Sequence, residues 1–141
     1  MSETSKRETD RLSSKAWLRH GPKGMFGPVD PGLLLAAGDR VSFVTRKGPV
    51  FEADRAEMQV KWPRSEFGGG VHLVVGGKTY RLSLARPPHA PDVDEQMAKS
   101  LREAALSLSG WGELFEAGAG IRDIFAARGS GKEWKAYFAA P

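Results

Sequence analysis

The sequence predicts an α+β fold: a small curved antiparallel β-sheet or barrel of six to seven strands, followed by C-terminal helices. Three observations carry this. Short runs of alternating apolar and polar residues recur from Pro31 to Arg86. The segments between them are a few turn-forming residues, which suit antiparallel neighbours in a meander. Beyond Pro91 the apolar period changes from two to about 3.6, the signature of helices.

The first strand-like pair is Leu33 to Ala37 and Arg40 to Thr45, flanking a two-residue turn at Gly38-Asp39. Val41 and Phe43 share one face of the second run, and Ser42 and Val44 the other. Arg46-Lys47-Gly48 turns the chain into Val50 to Ala53, and Asp54-Arg55-Ala56 turns it again. Glu57 to Trp62 alternates, with Met58, Val60 and Trp62 directed inward, and Pro63 ends the run. The clearest element is the hairpin Val71 to Leu84. Gly76-Gly77 is a two-residue turn of type I′ or II′, which needs positive φ. It sets Val75 opposite Lys78, Val74 opposite Thr79, Leu73 opposite Tyr80, His72 opposite Arg81 and Val71 opposite Leu82. Val71, Leu73, Tyr80, Leu82 and Leu84 then form the core face, and His72 and Arg81 the solvent face. Gly68-Gly69-Gly70 leads into a strand, not a helix, so it reads as a bulge or bend instead of a phosphate cradle.

An amphipathic helix is expected over about 92–108. Asp92 is its expected N-cap, Glu95 lies three residues on, and Met97, Leu101, Ala104 and Leu108 form its apolar stripe. In the last segment Ile121, Ile124 and Phe125 fall on one helical face, and Trp134, Tyr137 and Phe138 nearly opposite. That pattern requires a break at Gly129-Ser130-Gly131 or a long helix gripped on two sides. Residues 1–14 are polar and charged around a lone Leu12, the composition of a disordered tail. The remaining residues, 15–141, are expected to be one domain.

Composition narrows the chemistry. The 141 residues contain no cysteine, which removes disulfides, thiolate catalysis and zinc–cysteine sites. His20, His72 and His89 are far apart in sequence and lack metal-ligand spacing, so no metal and no cofactor are expected. Gly129-Ser130-Gly131-Lys132 fails as a P-loop, since Ala126 stands at its first glycine and Glu133 at its Ser/Thr. No catalytic residue is assigned, and an enzyme is not expected. The longest unbroken apolar run, Leu33 to Ala37, is far too short to span a membrane, and the N-terminus lacks a secretory core. A cytoplasmic location follows, with any membrane contact peripheral. The net charge of +4 is unevenly spread: residues 76–91 carry Lys78, Arg81 and Arg86 with no acid, and residues 92–117 are acidic. Nucleic acid, anionic lipid or another copy of the chain are the partners such a pattern attracts.

Several local motifs add a resemblance. Glu66 to Gly70, the hairpin strand Tyr80-Arg81-Leu82-Ser83 running on to Arg86-Pro87, and Lys132-Glu133-Trp134-Lys135 in the closing helix resemble bacterial PH-like (pleckstrin-homology or GRAM-like) domains. The likeness covers residues 31–87 and 121–139. It implies a curved antiparallel barrel plugged at one end by a tryptophan-bearing C-terminal helix; the expected helix at about 92–108 is an addition that departs from that pattern. The function it implies is a non-enzymatic binding or scaffold module for a protein partner or an anionic lipid surface. By the same likeness the ligand-binding residues are Arg46 and Lys47, in a loop at the open end. An alternative membrane contact is Lys132, Trp134 and Lys135. Two further alternatives are electrostatic binding of nucleic acid, and homo-oligomerisation through Leu114, Phe115, Ile121 and Phe125.

Overall fold

The structure is a computed structural model that describes residues 11–20, 28–64, 69–87, 90–106, 108 and 131–139. Seven antiparallel strands among these residues form one sheet: β1 (Arg11–Arg19), β2 (Val29–Ala37), β3 (Arg40–Thr45), β4 (Gly48–Asp54), β5 (Gln59–Lys61), β6 (Gly70–Val75) and β7 (Lys78–Ser83). Two helices follow, α1 (Glu95–Ala105) and α2 (Gly131–Ala139). The spatial order is β4-β3-β2-β1-β7-β6-β5. Two three-stranded meanders are thus joined through β1, which pairs with β2 on one side and β7 on the other.

The hairpin forms in the expected register, from Val75 opposite Lys78 to Val71 opposite Leu82. Gly76 and Gly77 have φ of 58° and 83°, the left-handed backbone that a two-residue turn of this kind requires. Val71, Leu73 and Leu82 are buried, as expected, and Arg81 is exposed. His72 is half-buried, not exposed, because β5 lies beside β6 and sets Lys61 opposite it.

Curvature follows from one aromatic contact. Phe51 on β4 and Tyr80 on β7 have ring centroids 4.8 Å apart, although three strands separate β4 from β7. A flat sheet would hold them roughly 19 Å apart, four strand spacings of about 4.8 Å. The sheet therefore curls, and its concave face holds Leu18, Leu34, Phe43, Phe51, Leu73 and Leu82 in one buried cluster. It does not close. β4 and β5 remain the two edges, connected only by the 3₁₀ turn Arg55–Glu57.

Helix α2 fills the concave side. Trp134 is completely buried in the cluster, its Nε1 donates to Ser14 Oγ at 2.9 Å, and Tyr137 and Phe138 pack beside it. The C-terminal end of α2 is latched to the β2–β3 turn. Arg55 Nη1 donates to Tyr137 O, Arg55 Nη2 to Asp39 Oδ1, and Tyr137 Oη to Gly38 O. The convex side of β2 and β3 is covered by α1, where Leu33, Leu35 and Val44 meet Leu101, Ala105 and Leu108. Strand β2 is thus buried on both faces, which explains its unbroken apolar run Leu33 to Ala37.

Four expectations need correction. The tail does not extend to residue 14, because Leu12 to Ser14 pair with Leu34 to Ala36 in β1. This segment carries a single large apolar residue and still belongs in the sheet, since Leu12 packs against the concave cluster and Ser14 accepts from the Trp134 indole. Helix α1 starts later than predicted. Asp94 is its N-cap, accepting from Met97 N at 2.8 Å, and Asp92 accepts from Val93 N instead. The buried stripe of α1 is correspondingly Ala98, Leu101 and Ala105, with Met97 and Ala104 only half-buried. The run Glu57 to Trp62 gives a strand of only three residues, because Arg55–Glu57 is taken up by the 3₁₀ turn. Residues 1–10, Phe26, Glu66 to Gly68, His89, the 109–128 segment and Gly129-Ser130 lie outside the described residues.

Candidate functional site

The turn Arg46-Lys47 ends at Gly48, whose φ of 124° is a backbone position that strongly favours glycine. Thr45 Oγ1 accepts from Lys47 N at 3.2 Å and ties the turn to the end of β3. Just before the turn, the β3–β4 register shifts between Phe43 and Val44, so Pro49 pairs with Val44. This bulge bends the tip of β4. Both turn cations are exposed.

The curl of the sheet brings three more strand ends beside this turn. The end of β1 contributes Arg19 and His20, the start of β2 contributes Asp30, and the start of β7 contributes Lys78 and Thr79. Together with Lys47 they surround a cleft of about 430 Å³. Its apolar floor includes Leu18, Val50 and Tyr80, and Lys78 Nζ lies 5.2 Å from the Tyr80 ring centroid. Within the rim, His20 Nε2 and Asp30 Oδ2 are 2.7 Å apart, and His20 N donates to Pro28 O, which holds the base of the β1–β2 connection. The lining therefore sets three permanent cations, Arg19, Lys47 and Lys78, against one carboxylate already engaged by an imidazole.

A second cleft of about 260 Å³ adjoins the first on the α1 side, and Asp30, Thr45 and Lys47 line both. Arg46, Pro91 and Met97 are among its other walls. The segment bearing Pro91 is pinned to β1 by Trp17 Nε1, which donates to Pro91 O at 2.9 Å, and by Lys15 Nζ, 3.6 Å from Asp92 Oδ1. The Asp92 carboxyl is held below its usual value, first by the Val93 backbone N–H and then by Lys15 and Arg86. The carboxylate form of Asp92 thus helps place the wall of the second cleft.

The structure brings Arg46 and Lys47 to these clefts, but it does not bring them near Lys132, Trp134 and Lys135. The Trp134 indole is wholly enclosed under the sheet, and Lys135 Nζ sits over the Trp62 ring at 5.4 Å. Sequence reasoning missed Arg19, His20, Asp30 and Lys78 as neighbours of Lys47. Lys78 was not legible as such a neighbour, because the hairpin register places it beside Gly76-Gly77 and only the curl of the sheet brings it to Lys47. Arg19 was not legible either, because no clear alternation of apolar and polar residues marks β1. Comparison of the chain with protein-family models and with curated proteins gives no match. Among the described residues no helix is long and apolar enough to cross a membrane.

Proposed function

We propose that this chain is a non-enzymatic PH-like binding module that receives an anionic headgroup of a lipid surface at the open end of its sheet. The observation that carries the reading is the cleft in which Arg19, Lys47 and Lys78 rim an apolar floor. A cleft with low-dielectric walls and one sign of charge concentrates oppositely charged ligands. Arg46, exposed on the same turn, extends the positive rim toward a surface lying across that end. Further support for a PH-like reading comes from the architecture: a curled seven-stranded antiparallel sheet whose concave side is filled by a tryptophan-bearing C-terminal helix.

Co-sedimentation with vesicles tests the reading. The protein should pellet with vesicles containing an anionic lipid at low salt, pellet less at high salt, and stay in solution with purely zwitterionic vesicles. Lys47→Glu and Lys78→Glu should each reduce pelleting, whereas Lys99→Glu on α1 should not. Equal pelleting by Lys47→Glu and wild type would reject the cleft as the site. Size-exclusion chromatography at both salt concentrations checks that pelleting does not arise from self-association.

A further inference from the structure

We infer that His20 is a pH sensor for the cleft at the sheet end: its protonation cancels the charge of Asp30 and tightens the hold on an anionic headgroup. The inference rests on the proposed function and adds its regulation. What carries it is the place of Asp30. It is the one acid among the described residues lining either cleft, and it lines both. A carboxylate there repels the same ligand that Lys47 and Lys78 attract, in a cleft of about 430 Å³ that keeps all three within a few atoms of the bound anion.

The partner of Asp30 sets it apart from other acids of the fold. Asp39 is met by Arg55 at 2.9 Å, Asp54 by Arg40 at 3.2 Å and Asp92 by Lys15 at 3.6 Å. Asp30 is met by an imidazole, with His20 Nε2 2.7 Å from Asp30 Oδ2. Histidine is the side chain that ordinarily changes charge between about pH 5 and 8, so this neutralisation is conditional. Backbone contacts hold the two groups together: His20 N donates to Pro28 O at 2.9 Å, and Asp30 pairs with Leu18 across β1 and β2. Both side chains are about half exposed, which lets protons exchange with solvent.

The charged and titratable groups facing the pair are Arg19 on β1, Lys47 on the β3–β4 turn, and Lys78 and Tyr80 on β7. Arginine, lysine, tyrosine and aspartate ordinarily keep one charge state between about pH 5.5 and 8. At the upper end a neutral imidazole donates to the carboxylate, and the pair carries one negative charge. At the lower end an imidazolium donates to it, and the pair is neutral. The hydrogen bond persists in both states, so the switch changes charge without moving a strand. One unit of charge at roughly 7 Å, in a medium between protein surface and bulk water, changes anion affinity about 5–10-fold. An anionic surface supplies part of the signal, since a potential of about −30 mV lowers the local pH by about half a unit. By reciprocity, a bound anion favours the protonated imidazole by the same factor.

Co-sedimentation of the full chain with phosphatidylglycerol vesicles, at about pH 8 and 5.5 and equal ionic strength, tests the sensor. The phosphodiester of that lipid is a strong acid and keeps its charge at both values. Wild type should bind about 5–10-fold more tightly at the lower pH. His20→Gln keeps a donor for Asp30 but gains no charge, and should bind equally at the two values. A variant with His72 and His89 both replaced by glutamine should retain the wild-type ratio. Asp30→Asn should bind at the higher pH about as tightly as wild type does at the lower. A measurement on the unmutated chain guards against misfolded variants: by NMR, the His20 imidazole should titrate about 0.7–1 pH unit higher with soluble short-chain phosphatidylglycerol than without it. Equal wild-type binding at the two values, a ratio retained in His20→Gln, or an imidazole titration unmoved by the lipid would overturn the sensor and leave the anionic site standing. No pelleting at either pH would reject the site itself, and the sensor with it.

Discussion

Replacing Trp134 tests how the fold is held together. Its side chain is 0% exposed, in a cluster fed by strands from both halves of the sheet. Its ring stacks on Phe138 and meets Tyr137 edge-on, each at 5.8 Å between centroids. Truncation of a buried tryptophan to alanine costs about 3–5 kcal/mol. Trp134→Ala also removes the donor to Ser14 Oγ, in a serine only 6% exposed, and an unsatisfied buried group costs about 1–3 kcal/mol more. The combined loss of about 4–8 kcal/mol is comparable with the whole stability of an ordinary domain, about 5–15 kcal/mol. A helix as short as α2, at nine residues, does not persist alone in water, so it should undock when its anchor is lost. Trp134→Phe keeps a ring and loses only the donor, and should cost about 1–3 kcal/mol. Urea denaturation of both variants gives these values. Iodide quenching of Trp134 as the sole tryptophan, with Trp17, Trp62 and Trp111 replaced by Phe, gives its exposure directly. A loss under about 1 kcal/mol for Trp134→Ala, or free quenching in the folded protein, would refute the anchoring role.

In the β6–β7 hairpin, Leu73→Ala should cost about 2–5 kcal/mol and His72→Ala less than about 1, by urea denaturation; equal losses would mean a register wrong by one residue. A chain starting at Lys15 loses the pairing of Leu12 to Ser14 with β2 and the acceptor for Trp134. Its melting temperature should drop by at least about 5 °C, and an unchanged value would show that the first half of β1 contributes nothing. Because the folded-state pKa of Asp92 is lowered, its carboxylate stabilises the fold at neutral pH, and that contribution disappears as pH falls through the lowered value. Asp92→Asn should therefore flatten the acid limb of stability against pH, by a small amount because the carboxylate is solvent-accessible; an unchanged limb would contradict the contact.

The elements legible in the sequence are those whose cause is local. The hairpin is written in its own residues: two glycines able to take positive φ, flanked by runs whose alternation admits a single register with one apolar face. The same holds for the β2–β3 turn at Gly38-Asp39 and for the split of Val41 and Phe43 from Val44, which enter different clusters on opposite faces. Helix α1 was legible in kind but not in phase. Two aspartates compete to cap it, and the one that wins does so because Asp92 is drawn to Lys15 and to the Val93 N–H.

What the sequence by itself determined is therefore the α+β class, the hairpins, the inward faces of their strands, and a C-terminal helix bearing Trp134, all consequences of short-range periodicity and turn chemistry. The tertiary structure alone decided the place of β1, whose Ser14 is buried because an indole 120 positions away donates to it. It alone decided the curl that brings Phe51 onto Tyr80, and with it the meeting of Arg19, Lys47 and Lys78 around one cleft. Such neighbours are set by strand order and sheet curvature, and these depend on how all the apolar faces can be covered at once, a condition that no local stretch of sequence expresses.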